Sequence, residues 1–192
     1  MSRTALALAL AGLGFTPTGL CGQGVELGTR VGFNIVLPED GSIIGFGIPG
    51  GGPAPLGSLF GGASSVHVAF FPSEQVMLEP QLSLSVLRVS NGSSETLLNA
   101  TLASQVAYMF SGASVSSGYL GGNLALTVID VSGADSENDF ALGFAVGYRA
   151  LPTPNVAVRI EGGYRRWLDF ELNELNAALI FGIVIPLNGS QE

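Results

Sequence analysis

From Val25 to Val36 the chain reads V-E-L-G-T-R-V-G-F-N-I-V, with Val25, Leu27, Val31, Phe33 and Ile35 on alternate positions and Thr29 among them. Glu26, Gly28, Arg30, Gly32 and Asn34 take the positions between. A helix would repeat its apolar side chains every three to four residues; a period of two belongs to a strand with one apolar and one polar face. The same rhythm returns over 65–71, 76–89, 98–110, 119–129, 140–149, 156–167 and 175–187, which makes eight segments. Residues 140–149 carry it most cleanly: Phe140, Leu142, Phe144, Val146 and Tyr148 alternate with Ala141, Gly143, Ala145, Gly147 and Arg149. Pro80 interrupts one segment; it has no N–H for a ladder, so a local bulge is expected there.

The chemistry of the two faces selects the architecture. One face is almost wholly Val, Leu, Ile and Phe. The other is small and polar, and parity places Glu26, Arg30, Glu79, Arg159, Glu161 and Arg165 on it. A soluble barrel or sandwich would bury the apolar face and expose the charges. A membrane barrel does the reverse. The pattern therefore predicts an all-β protein, an eight-stranded antiparallel up-and-down transmembrane β-barrel. Eight strands leave an interior that side chains can fill.

Composition agrees. Only 11% of the 192 residues are charged, against roughly 25% in an ordinary soluble domain. Mean hydropathy is +0.47. Yet neither long apolar run, 5–15 or 177–187, is long enough to cross a bilayer as a helix. Closed barrels are the other structure that satisfies every backbone group in lipid. The formal net charge is −8, and all seven basic residues are Arg; without a basic stripe, a nucleic-acid partner is not expected.

The chain is expected to divide into a cleaved signal peptide, 1–21, and a single barrel domain, 22–192. Arg3, the apolar run 5–15, the Thr16-Pro17 break and the small residues Gly19 and Cys21 supply the signal-peptide pattern. Lipidation at Cys21 is the alternative, opposed by Leu20 before it. A long first outer loop is expected at 37–64. Short turns at 72–75, 111–118 and 150–155 would face the periplasm, and loops at 90–97, 130–139 and 168–174 the outside. Lipid-facing rings would mark the two rims: Phe70, Tyr108, Phe110 and Tyr148 on one, Phe33, Phe140 and Tyr164 on the other.

Three stretches carry a family resemblance: Phe70-Phe71-Pro72 followed by Met77-Leu78-Glu79-Pro80, then Arg159-Ile160-Glu161-Gly162-Gly163-Tyr164-Arg165, and the last strand. In that order they resemble the small eight-stranded outer-membrane barrels of Gram-negative bacteria, the class that includes outer-membrane proteins A and X. The resemblance covers about Val25 to Leu187. It implies an outer-membrane location after export, with membrane lipid and the insertion machinery as partners. Gly182, Ile185 and Leu187 match the spacing of the family's C-terminal insertion signal. The terminal aromatic residue is absent, and five residues follow Leu187.

Other motifs have plainer readings. Gly45-Phe46-Gly47-Ile48-Pro49-Gly50 has the lettering of a dinucleotide loop but no βαβ unit around it, and is expected in the first outer loop. His67 is the only His, which excludes a multi-His metal site. Ser65 shares its face, but a Ser-His pair needs a positioned acid, and the sequence suggests none nearby. No catalytic residue, metal or cofactor is expected. The constellation with weight is Glu26, Arg30, Glu79, Arg159, Glu161 and Arg165. It reads as an ion network plugging the lumen, or alternatively as the lining of a small porin-like channel. The function expected is a non-enzymatic, monomeric barrel serving envelope structure or surface contact. A lipid A-modifying enzyme is the more remote alternative.

Overall fold

The computed structural model describes residues 24–37, 43–47, 64–90, 94–131 and 136–186. These form β1 (Val25–Leu37), β2 (Ile43–Gly47), β3 (Ser64–Ser73), β4 (Val76–Ser90), β5 (Ser94–Met109), β6 (Ser117–Val131), β7 (Glu137–Thr153), β8 (Val156–Trp167) and β9 (Asn173–Ile185). Every pairing is antiparallel, and the sheet closes on itself where β1 meets β9, from Val25↔Ile185 to Leu37↔Asn173. There are eight positions around the barrel because β2 and β3 share one. β1 pairs β3 from Val25 to Val31 and β2 from Gly32 to Val36.

This corrects the expected 37–64 loop. Ile43–Gly47 is strand, laid along the upper half of β1, so Gly45-Phe46-Gly47 belongs to the barrel wall. β2 ends at Gly47, opposite Gly32, and β3 begins at Ser64, opposite Val31. The apolar letters Ile43 and Ile44 lie too close to Glu39-Asp40-Gly41 to give a segment long enough to count by alternation alone. The strands are also longer than the alternation predicts: β7 runs to Thr153, past the expected turn start at 150. Pro80 makes no bulge. It pairs with Ser104 in unbroken register, and the β3–β4 irregularity falls between Phe70 and Ser73, beside the turn. Residues 1–21 and Leu187 lie outside the described residues.

The two faces separate as alternation requires. β9 reads buried and exposed at alternate positions along most of its length. Outside, Ile160 is 67% exposed and Leu84 65%; inside, Glu26, Glu79 and Arg159 are 0% exposed. Apolar side chains outside and charges inside are favourable only where the surrounding medium is itself apolar. Tyr108 and Phe110 stack edge to face at 6.0 Å near the end that carries the short turns and the Val25↔Ile185 end of the closing pair. Tyr164 lies toward the opposite, loop end, with its ring 5.7 Å from that of Phe144.

The interior is layered. At the turn end Ala69, Phe71, Met77, Ala107, Met109 and Tyr119 pack with Ala113 of the β5–β6 connection. Toward the loop end Trp167 fills the room left by Ala103, Ala125 and Ala141, with Phe170 and Leu172 against them. Arg149 reaches into the turn-end layer at Ala113 and Phe71, and the buried Asp139 and Glu174 hold the Trp167 end.

Candidate functional site: the charged lumen

Glu26 of β1 is the hub. Its Oε2 accepts from Arg149 Nε at 2.9 Å, and its Oε1 lies 3.1 Å from Arg159 Nε and 3.8 Å from His67 Nε2. Arg159 reaches on to Glu79, to which its Nη1 donates, so one guanidinium from β8 ties β1 to β4 across the lumen. Gln81 Nε2 donates to the other Glu79 oxygen at 2.7 Å. A second knot forms around Glu161. Its Oε1 is 2.9 Å from Arg30 Nη2, and its Oε2 accepts from Tyr119 Oη at 2.9 Å and Gln105 Nε2 at 3.0 Å. Arg30 Nη2 also donates to Asn176 at 3.0 Å.

Small residues opposite these charges make room for them. A Cβ on Gly182 would stand 2.7 Å from Glu26 Oε1, so the carboxylate occupies the space a side chain would take. Gly143 does the same for Arg165: a Cβ there would lie 2.9 Å from Arg165 Cγ and 2.7 Å from Asn123 Oδ1. Arg165 thus crosses β7 over a glycine and donates through Nε to Asn123 on β6 at 3.3 Å.

Of the six residues singled out by parity, Glu26, Arg30, Glu79, Arg159 and Glu161 are joined by ion pairs. Arg165 shares their compartment but has no carboxylate within 4 Å among the described residues. Gly182 and Ile185 lie in β9. Sequence reasoning missed Arg149. Besides Glu26 it binds Ala113 O at 2.7 Å and lies 4.9 Å over the Phe71 ring. Its parity was already that of the lumen face. The segment 140–149 already included it, but the charged constellation left it out. Tyr119, the first residue of the 119–129 segment, was left out likewise.

The Ser65–His67 reading is also corrected. An acid does lie near His67, namely Glu26. Register hid it, because β1 and β3 are separated in sequence by a long interval of unpredictable length. As the three stand, Glu26 is committed to two guanidinium groups, and among the described residues neither Ser65 Oγ nor either His67 ring nitrogen has a hydrogen-bond partner. Among the described residues no group of three or more His, Cys, Asp or Glu is placed to hold a metal.

No protein-family model matches the chain, and no curated protein matches it. Solved structures do. Neisserial surface protein A superposes with a TM-score of 0.59 at 14% identity, over 84% of this chain and 97% of that one. The solid-state NMR structure of outer membrane protein AlkL in DMPC bilayers gives 0.54 at 15% identity, over 88% and 93%. The fold is that of the small outer-membrane β-barrels. At these identities the likeness is one of architecture. The barrel's lumenal charges have to be read from this chain alone.

Proposed function

We propose that the protein is an integral outer-membrane barrel with a closed lumen, acting in envelope structure or surface contact through its loop end rather than by catalysis or bulk passage. The observation that carries this reading is the filled cross-section. Arg149, Arg159, Glu26 and Glu79 are fully buried inside the barrel, which also holds an apolar layer at the turn end and the Trp167 layer toward the loop end. The inverted polarity of the wall supports a membrane setting, and the likeness to Neisserial surface protein A and AlkL supports an outer membrane in particular. Membrane lipid and the insertion machinery are then its obligatory partners, and the chain works as a monomer.

A second reading is a narrow pore. Among the described residues Arg30 Nε, His67 Nδ1 and Gln105 Oε1 are buried without a hydrogen-bond partner, and polar atoms in that position call for water. Two measurements separate the readings. The mature chain should stay in outer membranes after carbonate washing. Purified barrel in planar bilayers should give no discrete conductance steps. Steady single-channel openings would overturn the closed-lumen reading in favour of the pore; release by carbonate would overturn both.

A further inference from the structure

The basic residues of the barrel are unevenly distributed. The chain has no Lys, and beyond Arg3 it has six Arg. Four of them, Arg30, Arg149, Arg159 and Arg165, are buried in the lumen. Of the remaining two, Arg88 and Arg166, the second has the parity of the lipid-facing wall. Both belong to the loop-end portion of their strands, where Arg88 pairs with Thr96 and Arg166 with Leu142 and Asn173. No basic residue is left for the outer surface of the turn end.

Arg166 sits in a small prearranged cluster. Its Nη1 donates to Asn173 Oδ1 at 3.2 Å and to the Glu171 carbonyl at 3.1 Å. Tyr164 Oη donates to the same Asn173 Oδ1 at 2.6 Å. With Oδ1 held by two donors, the Asn173 amide nitrogen is turned away as a further donor. Both acceptors of Arg166 are neutral, and no carboxylate lies within 4 Å of it among the described residues. Of the buried acids of this end, Asp139 spends both oxygens on backbone N–H groups of residues 140 and 168–170, and Glu174 has the lumen parity and accepts from Trp167 Nε1. Among the described residues Arg166 thus has no carboxylate partner, and its Nε and Nη2 make no hydrogen bond there; it shares the lipid-facing parity of Tyr164.

We propose that Arg166, with Asn173 and the Tyr164 hydroxyl, binds the phosphate of an anionic lipid headgroup in the leaflet at the loop end. A guanidinium offers paired N–H donors that match phosphate oxygens, and an aromatic ring beside it suits the depth at which headgroups meet acyl chains. Charge complementarity selects the occupant: an anion is required, and a lipid-facing position at the rim makes a lipid its source. The proposal rests on the membrane reading above.

The test folds the wild type and Arg166→Gln into phosphatidylcholine vesicles, alone or containing phosphatidic acid. Heat-modifiable gel mobility reports folding, and native mass spectrometry of the extracted barrel reports retained lipid. Wild type should retain phosphatidic acid over phosphatidylcholine. That preference should fall about tenfold in Arg166→Gln, the scale of a charge-assisted hydrogen bond, and return only in part in Arg166→Lys, which keeps the charge but not the paired donors. Equal retention by folded wild type and folded Arg166→Gln overturns the site and leaves the membrane reading standing. If Arg166→Gln does not fold, Asn173→Ala takes its place with the same expectation. Wild type that fails to insert into either vesicle overturns the membrane reading and the site together.

Discussion

Glu26 and Arg149 stand 123 residues apart in the chain and meet across the lumen at 2.9 Å. Arg149 also holds Ala113 O, so this one guanidinium fastens the β5–β6 connection, the cap of the turn end, to the hub of the ion network. Closing the barrel end and assembling the charges are thereby a single event.

Arg149→Met should release that cap. The Glu26 carboxylate keeps Arg159 but loses its other cation, at a cost of about 3 kcal/mol if the site behaves like other broken buried pairs. Urea unfolding from lipid vesicles measures the loss. Hydrogen exchange gives the local signature: amides of residues 111–116 should exchange faster, while those of β9 stay protected to the extent that the barrel is folded. Unchanged exchange at 111–116 would show that Arg149 does not hold the connection.

Glu79 and Arg159 allow a sharper test. Each single substitution to Ala leaves a buried charge short of its partner, and about 3–5 kcal/mol should be lost. In the double variant neither orphan remains, so part of the loss should return as a coupling energy. Glu26 still faces the gap left by Arg159, which keeps the recovery incomplete. Strictly additive losses would mean that the two side chains do not interact in the folded barrel.

Period-two patterning carried the wall, because each strand is independently apolar on one side; it placed Glu26, Glu79 and Arg159 inside without any knowledge of their neighbours. It could not say which charges touch. That depends on stagger between strands, and the β1–β3 register is set by an insertion whose length the alternation does not encode. Ser65, His67 and Glu26 illustrate the limit: correct faces, but an unforeseen meeting. Ile43–Gly47 illustrates another, since five residues beside an acidic turn are too few to announce a strand. Arg165 was placed on the right face, yet it turns to Asn123 rather than to a carboxylate because Gly143 opens that path, a preference visible only once β7 and β8 are in register.

That same glycine changes what a lumen substitution should do. Parity alone makes Gly143 a tolerant, water-facing neighbour of lipid-facing Phe144. In the barrel a Cβ at Gly143 collides first with the Tyr164 backbone carbonyl, then with Asn123 Oδ1 and the Arg165 stem. Gly143→Ala should therefore cost about 1–3 kcal/mol through overpacking. Phe144→Arg puts a charge against acyl chains, at roughly 2–4 kcal/mol near the midplane. Thicker bilayers should aggravate the second loss and leave the first unchanged. Refolding yields across phosphatidylcholines of increasing chain length would expose the difference, and a parallel response of both variants would refute it.

Asp139 controls the opposite end. Its Oδ1 accepts from the backbone N–H groups of Phe140 at 2.6 Å, Leu168 at 3.2 Å and Asp169 at 2.9 Å, and its Oδ2 accepts from that of Phe170 at 3.0 Å. These bonds fold residues 168–172 down over Trp167, whose Nε1 donates to Glu174 at 2.9 Å. Asp139→Asn keeps the size but replaces one acceptor oxygen by an N–H donor, which would face a backbone N–H. Orphaning one or more of these buried or half-buried amides should cost about 1–3 kcal/mol. The chain's single Trp makes the effect visible. Trp167 emission should shift to the red and become accessible to acrylamide as the loop lifts, while the strand signal in circular dichroism stays. Emission unchanged in a folded Asp139→Asn barrel would show that the carboxylate does not hold this loop in place.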